Sequence, residues 1–314
     1  MNLKNLEFHA TNWIPELPGN IKLVEATSVA CDSKDNIYIF NRGNMPILIF
    51  SETGKFQSGW GREEFVRPHG IFIDNSDNLF LVDDGGHFLK KCDPEGNVLL
   101  TIGSPGKEAS WQSGNFFNRP TDVTVDNDNN IYISDGYGNS RIHKFNENGK
   151  YLKSWGTPGT ENSQFNLPHN ICLVEEDFLW VCDRENFRVQ VFNLNGKWIK
   201  TIPFHRPQTI FSNKGNLKNS MIIGEAGTGS NTQIGVPNIG NCIKIIDYQG
   251  NTIHRLGKDV PGEGDSQFIS PHGVTSTSKG DIIVAEVSYT AYGSSLNPPR
   301  EVVSLRRWKI NNYV

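Results

Sequence analysis

Long apolar runs are missing from this chain of 314 residues, and a membrane-spanning helix would need about 20 such residues in a row. The first 20 residues also lack the apolar segment of roughly 7–15 residues that a secretory signal requires. The five cysteines show no Cys-x-x-Cys spacing, which disfavours a structural zinc site or a redox motif built from them. We therefore expect a cytoplasmic protein with reduced, mostly buried thiols and no membrane partner.

An excess of positive charge is also missing, because the formal net charge is −4 at pH 7. Nucleic-acid-binding proteins usually present a basic face to the phosphate backbone. The composition therefore gives no electrostatic argument for a nucleic-acid partner. Glycine is frequent, at 31 residues, which suits a fold with many tight turns.

A repeat runs along nearly the whole chain. Its units begin near residues 26, 67, 119, 167, 206 and 270, and each contains four short β-rich runs separated by turn sequences such as DNDNN and NENGK. Four strands per repeat and a period of about 40–50 residues are typical of a β-propeller. We predict an all-β fold with six four-stranded blades around a central channel, formed by residues 1–314 as one domain. The N-terminal segment is expected to complete the last sheet, and residues 227–241 are expected to form a surface loop.

The pattern Pro-x-Gly/Asp, followed by Asp and by three apolar residues, resembles the NHL repeat. In a propeller the first strand of each blade lines the channel, so one position per blade forms a ring. The six ring positions are Thr27, His69, Thr121, His169, Gln208 and His272. Histidine thus occurs in every second blade. Three imidazoles with an open fourth position are the ligand set of a catalytic zinc site, so we predict Zn²⁺ bound by these histidines.

The second strand of each blade ends beside the start of the first, because the two form an antiparallel hairpin. Arg42, Tyr137 and Arg184 lie 15–16 residues after a ring position and should face the same end of the channel. Arginine binds carboxylates in a bidentate manner, and neighbouring positive charge favours the ionised form of a phenol. We therefore expect Tyr137 to act as a general base on a small anionic substrate with a carboxylate and a hydroxyl group.

Aspartates that recur at the same strand end are expected to bond loop amides and to serve the scaffold. They are Asp83, Asp135 and Asp183. The recurring arginines Arg141 and Arg188 receive the same interpretation.

The segments SDGYGNSR, LPHN and DREN are similar to the peptidyl-α-hydroxyglycine α-amidating lyase family. The resemblance implies an NHL-repeat propeller that cleaves an N-acyl-α-hydroxyglycine into a primary amide and glyoxylate. It also implies a role for each matching residue. The zinc ligands would be His69, His169 and His272, the catalytic tyrosine would be Tyr137, and the active-site arginines would be Arg42 and Arg184.

The same resemblance implies a second metal, a structural Ca²⁺ held partly by the backbone carbonyls of Val29 and Ile71. Family members have an aspartate directly after the third histidine, whereas Gly273 follows His272 here. The absence of the copper monooxygenase domain that makes hydroxyglycines allows a substrate that is not a peptide.

Two other functions are compatible with the repeat. The first is a metal-dependent hydrolase, such as a lactonase, although those sites hold calcium through oxygen ligands rather than imidazole. The second is a non-enzymatic NHL scaffold that binds a partner on one face, which would need no histidine triad.

Overall fold

The computed structural model describes residues 3–11, 13, 15–227 and 235–311. Their strands form six four-stranded antiparallel sheets, and in five of these sheets the neighbouring strands are consecutive in the chain. This arrangement confirms the prediction of a six-bladed β-propeller with four-stranded blades.

The first three blades are regular. Blade one contains β2 (Ala26–Cys31), β3 (Ile37–Asn41), β4 (Ile47–Phe50) and β5 (Phe56–Trp60). Blade two contains β6 (Pro68–Ile73), β7 (Leu79–Asp83), β8 (Phe88–Cys92) and β9 (Val98–Gly103). Blade three contains β10 (Asp122–Val125), β11 (Ile131–Asp135), β12 (Arg141–Phe145) and β13 (Tyr151–Trp155), with the single helical turn α1 (Gly136–Asn139) after β11.

The last three blades carry longer connections. A two-stranded parallel ribbon, β14 (Thr157–Pro158) and β15 (Gln164–Phe165), precedes blade four, which contains β16 (Pro168–Val174), β17 (Phe178–Asp183), β18 (Arg188–Asn193) and β19 (Trp198–Pro203). Blade five contains β20 (Pro207–Ser212), β21 (Met221–Glu225), β22 (Cys242–Ile246) and β23 (Thr252–Leu256). Blade six contains β24 (Pro271–Ser276), β25 (Ile282–Glu286) and β26 (Leu305–Asn311), with the short helix α2 (Ser288–Ala291) after β25. Four 3₁₀ turns are described, at Leu3–Asn5, Arg184–Asn186, Gly215–Leu217 and Gly293–Ser295.

The N-terminal strand β1 (Glu7–Thr11) completes blade six, as predicted. It pairs antiparallel with β26, and Glu7 lies opposite Asn311. The surface loop predicted for residues 227–241 is only partly described, because residues 228–234 lie outside the described residues.

The turns inside the blades follow from a short aspartate motif. Asp126 Oδ1 accepts the backbone N–H groups of Asp128 (3.0 Å) and Asn130 (2.8 Å). Asp74 makes the same pair of bonds to Ser76 and Asn78. Aspartate mimics a backbone turn in this way, so the motif fixes the hairpin between the first and second strands.

The chain divides into two compact units, and the first comprises residues 61–210. Apolar side chains of blades two and three form one core cluster that includes Phe80, Val123 and Phe145. A second cluster includes Tyr132 and Phe192. Aromatic and β-branched residues fit such facing sheets, and each fully buried side chain of this size contributes about 2 kcal/mol.

The second unit comprises residues 1–60 and 211–314. One of its clusters packs Phe50 of blade one against Ile283 and Leu305 of blade six. The other packs Ile245 of blade five against Val284 and neighbouring residues of blade six. The assignment of residues 1–314 to a single domain stays a prediction.

The structure bears on two predictions from the sequence, the state of the cysteines and the lack of a membrane-spanning helix. No disulfide joins any of the five cysteines, all of which are described, and four of them are buried, in agreement with the expectation of reduced, mostly buried thiols. Burial raises the pKa of Cys31 and of Cys242 to about 12, so both thiols stay protonated at neutral pH. No helix within the described ranges is both long enough and apolar enough to span a membrane.

Candidate metal centre

Each of the three ring histidines lies at an irregularity of its first strand. The ladder between first and second strands shifts register between Pro68 and Gly70, between Pro168 and Ile171, and between Pro271 and Gly273. Such a bulge turns a side chain out of the normal alternation of a strand. The bulges therefore set the direction of His69, His169 and His272.

A backbone carbonyl holds each of these imidazole rings in the same way. The three contacts are His69 Nδ1 to Thr121 O (2.6 Å), His169 Nδ1 to Gln208 O (2.7 Å) and His272 Nδ1 to Thr27 O (2.6 Å). A carbonyl oxygen can only accept, so Nδ1 carries the proton and Nε2 keeps its lone pair. A histidine that binds a metal is usually oriented by a hydrogen bond of this kind.

The three histidines form a buried group that could hold a metal ion. One ligand nitrogen from each residue lies within 4.8 Å of the others. Neutral imidazoles with a fixed tautomer match the nitrogen ligands that zinc prefers. The donor set therefore fits the predicted metal, although nothing in it identifies the ion.

Tyr137 lies on α1, and two glycines allow this turn to pack closely on neighbouring backbone. A Cβ on Gly136 would come within 2.2 Å of Pro168 O, and a Cβ on Gly138 within 2.1 Å of Asn118 Oδ1. The sequence Gly-Tyr-Gly therefore places a half-buried tyrosine on a turn that tolerates no larger flanking residue.

Substitution of Gly136 by alanine is expected to displace the turn that carries Tyr137, because the new methyl group would overlap Pro168 O. We expect a loss of about 2 kcal/mol of stability, measured by urea unfolding. Gly106→Asn is a suitable control, since Gly106 has open space around its Cα and asparagine tolerates its φ of +75°. Equal stability of the Gly136→Ala variant and the wild type would contradict this account.

The phenol oxygen of Tyr137 lies beside two of the three histidines. It is 3.1 Å from His69 Nε2 and 3.3 Å from His169 Nε2. The predicted association of Tyr137 with these two histidines is therefore observed in the structure. An oxygen at this position can exchange a proton with a group bound next to the two nitrogens.

Two guanidinium groups lie near the ring of Tyr137. Arg184, which was predicted, has its Cζ 6.0 Å from the ring centroid, and Arg119, which sequence reasoning missed, has its Cζ at 4.4 Å. Arg184 Nε also donates to Glu185 Oε1 (2.8 Å). Arg119 could have been found from a repeated signal, because the dipeptide Arg-Pro occurs at the same place in three blades. Its arginines are Arg67, Arg119 and Arg206.

Arg42 lies at the end of blade one that carries the ring position Thr27. Its backbone N–H donates to Glu25 O (2.9 Å), and its Nη1 donates to Glu25 Oε2 (2.7 Å). Glu25 also accepts the N–H of Thr290 (2.6 Å). The side chain of Arg42 is thus positioned by a buried carboxylate, and its catalytic role stays a prediction.

The recurring aspartates bond loop amides, as predicted. Asp83 accepts the N–H groups of Arg67 and Gly86 (both 2.8 Å), Asp135 accepts that of Asn118 (3.0 Å), and Asp183 accepts that of Asn166 (2.7 Å).

The two recurring arginines differ from each other. Arg188 bonds Asp183 (2.8 Å), as the scaffold interpretation requires. In blade three the equivalent aspartate, Asp135, contacts Nε2 of the buried His143 at 3.2 Å. By strand register His143 corresponds to Gln190 of blade four, which likewise bonds Asp183 (3.1 Å). The scaffold role of Arg141 stays a prediction.

The donor set expected for calcium is incomplete. At the position directly after the ring residue, the blades carry Ser28, Gly70, Asp122, Asn170, Thr209 and Gly273. Asp122 is the one carboxylate among these six, and its Oδ2 accepts the N–H of Ile171 (3.0 Å) and a hydrogen bond from Asn170. Burial raises the pKa of Asp122 to about 8, so the neutral acid predominates at pH 7. Because Gly273 follows His272 and only one of these six positions carries a carboxylate, we derive no calcium site, and Ca²⁺ on the carbonyls of Val29 and Ile71 stays a prediction.

The raised pKa of Asp122 predicts a pH dependence of stability. The folded state binds this proton up to about pH 8, whereas the unfolded state releases it near pH 3.9. Stability should therefore fall as the pH rises from 5 to 8, by about 3 kcal/mol from this group. The Asp122→Asn variant should lose this component. Urea unfolding with EDTA present measures the difference, and parallel pH profiles for the two proteins would contradict it.

Comparison with known proteins first defines the class of the chain. The NHL repeat family model matches residues 117–145 and 165–192, and a family described as a 6-bladed beta-propeller matches residues 20–91. The chain is an NHL-repeat β-propeller, in agreement with its six sheets.

Two kinds of relative are similar to the chain in sequence, an amidating lyase and an NHL repeat-containing protein. The chain is 30% identical over 314 residues to peptidyl-alpha-hydroxyglycine alpha-amidating lyase 1 of Drosophila melanogaster, with 86% of the chain and 56% of the relative covered. It is 35% identical over 184 residues to NHL repeat-containing protein 3 of Homo sapiens, with 54% of the chain and 53% of the relative covered. The chain thus spans about half the length of these relatives.

A solved structure titled "Streptogramin B lyase structure" matches with a TM-score of 0.58 and 16% identity, and the match covers 94% of the chain and 82% of the solved chain. At this identity the likeness concerns the fold alone.

Proposed function

We propose that the chain is a metal-dependent carbon–nitrogen lyase. Its substrate would be an N-acyl-α-hydroxyglycine, or a small analogue with the same carbinolamide group, and its products an amide and glyoxylate. The observation that carries the proposal is the position of the Tyr137 hydroxyl, 3.1–3.3 Å from Nε2 of two histidines that backbone carbonyls orient. Relatives at 30–33% identity that are named amidating lyases support the same reaction class.

The metal would be held by Nε2 of His69, His169 and His272. Three imidazoles suit zinc better than a hard cation such as calcium. When bound, zinc supplies a Lewis acid that polarises an oxygen of the substrate.

The chain's own residues account for the proton transfer. Tyr137 takes the proton from the carbinol hydroxyl, and the electrons of that O–H bond form the aldehyde carbonyl. The C–N bond breaks, its electron pair leaves with the nitrogen, and the nitrogen takes up a proton to give the amide. General base catalysis of this kind contributes about 10²–10⁴-fold to the rate.

The arginines account for the recognition of the substrate carboxylate. Arg184 lies near Tyr137, and its guanidinium is only about one-seventh exposed. A partly desolvated guanidinium binds a carboxylate more strongly than one in bulk water. Glu185 and Glu25 hold Arg184 and Arg42 in place, so both arginines are oriented before the substrate binds.

Glyoxylate release tests the proposal. Purified protein, reconstituted with zinc, would be incubated with N-benzoyl-α-hydroxyglycine and with N-carbamoyl-α-hydroxyglycine, and glyoxylate would be measured as its hydrazone. We expect release from at least one substrate, and loss of release after chelation that zinc restores. Protein with one tightly bound zinc that releases no glyoxylate from either compound would contradict the proposed reaction.

A further inference from the structure

A buried carboxylate next to the candidate site is shared by two arginines. Asp84 directly follows β7 and is fully buried. Its Oδ2 accepts hydrogen bonds from Arg67 Nη1 and from Arg119 Nη2, the latter at 3.1 Å. One buried carboxylate thus holds two guanidinium groups next to each other.

The two guanidinium groups of this cluster remain open to solvent. The side chain of Arg67 is 35% exposed and that of Arg119 is 40% exposed. Within the described residues, every hydrogen bond from either guanidinium goes to Asp84. Each guanidinium has five N–H donors, so most of their donors have no hydrogen-bond partner among the described residues.

The cluster lies next to Tyr137, the proposed base. A second carboxylate that is shared by two arginines is found near the same residue. Arg119 packs over the ring of Tyr137 at 4.4 Å, and Arg184 lies at 6.0 Å from the same ring. Glu185 is shared by Arg184 and Arg206, just as Asp84 is shared by its own two arginines. Although burial alone would raise it, the bonds from Arg206 and Arg184 lower the pKa of Glu185. Each of the two carboxylate-centred arginine pairs therefore has one arginine near the ring of Tyr137.

Arg184 and Arg42 are enough for the substrate carboxylate of the proposed reaction, which leaves the pair Arg67 and Arg119 without a ligand. If Arg67 and Arg119 served only as partly exposed surface charges, each could pair with its own exposed carboxylate, whereas both bond the buried Asp84. Asp84 keeps two guanidiniums together against their mutual repulsion and leaves their remaining donors available. Paired guanidiniums of this kind recognise planar carboxylates and phosphates.

We infer that Arg67 and Arg119, oriented by Asp84, form a second anion-binding site beside Tyr137. The inference rests on the proposed function, because it concerns the substrate of that reaction. The physiological carbinolamide would carry a second acidic group, a carboxylate or a phosphate, in addition to the one bound near Arg184. This would favour a small dianionic substrate over an α-hydroxyglycine whose acyl group is uncharged.

Binding of small anions tests the inference without turnover. Isothermal titration calorimetry at low ionic strength would compare glycolate, which has one acidic group, with malate and with 2-phosphoglycolate, which have two. The full-length protein would be measured both with EDTA and reconstituted with zinc. We expect a dianion to bind at least about tenfold more tightly than glycolate, and the two dianions distinguish a carboxylate from a phosphate preference.

Two variants locate the effect. Arg119→Gln and Arg67→Gln should each reduce dianion affinity about tenfold while glycolate binding stays within about twofold of the wild type. Lys150→Gln removes one positive charge at an exposed turn and should change neither affinity. Thermal unfolding of each variant checks that it is folded. If the Arg119→Gln variant does not fold, the Arg67→Gln variant provides the test.

The experiments distinguish failure of the second anion-binding site from failure of the proposed lyase reaction. Equal affinity for monoanions and dianions in the wild type, or a dianion preference that survives both arginine substitutions, would overturn the second site. If glyoxylate is released but no such preference exists, the lyase proposal stands alone. If the preference depends on Arg119 and Arg67 but no glyoxylate forms, the anion site stands and the reaction is wrong.

Discussion

Replacement of His169 by alanine is expected to reduce the zinc content of the protein from about one ion per chain to nearly none. The substitution removes one of three nitrogen ligands and the imidazole that Gln208 O orients at 2.7 Å. Loss of an orienting contact alone usually costs 10–100-fold in metal affinity, so we expect loss of a ligand to cost at least about 100-fold. Elemental analysis of tag-free protein and zinc titration against a chromogenic chelator would measure the change.

The control for this experiment is His9→Ala, because His9 is an exposed residue of β1. This variant should keep the zinc content of the wild type. A wild-type protein that takes up no transition metal even when zinc is offered would show that the three histidines serve only the fold. The hypothesis of a non-enzymatic NHL scaffold would then lead.

Replacement of Tyr137 by phenylalanine is expected to lower the rate of glyoxylate release by about 10²–10⁴-fold, the usual contribution of a general base. The hydroxyl that contacts Nε2 of His69 and His169 is lost, whereas the ring that packs under Arg119 remains. Zinc content should therefore be unchanged. Single-turnover kinetics would separate the chemical step from product release.

The matched control for Tyr137→Phe is Tyr151→Phe, which removes an exposed hydroxyl that contacts only Ser154 Oγ among the described residues. Its turnover should equal that of the wild type. A Tyr137→Phe variant that retains full activity would remove Tyr137 from the role of base, and the carbinol proton would need another acceptor.

The fold could be predicted from the sequence because its determinants are local and repeated. Each blade carries its own short strands, and blades one to three each carry an aspartate-stabilised turn between the first two strands, as at Asp126. The hairpin argument placed Arg184 at the end of blade four that carries His169, in agreement with the pairing of Pro168 with Asp183. It also placed Tyr137 at that end, and its hydroxyl lies 3.3 Å from His169 Nε2.

The orientation of the site residues could not be predicted, because it depends on neighbouring blades. Nothing in the sequence around His69 shows that Thr121 O will hold its ring, 52 residues further along the chain. The association of Asp84 with Arg119 is likewise a contact between two blades. Sequence periodicity locates a residue within its own strand, whereas these contacts depend on how adjacent sheets pack.

The strand β1 has a consequence for the order in which the protein is made. Its partner β26 lies about 300 residues later, with Glu7 opposite Asn311. During synthesis, blades two to four can form from neighbouring segments as they leave the ribosome, since their pairings are local. Blade six must wait until its final strand has been translated, while β1 remains unpaired for most of that time. Of the described strands, β1 is synthesised before all the others and is among the last to pair, so its edge stays exposed longest.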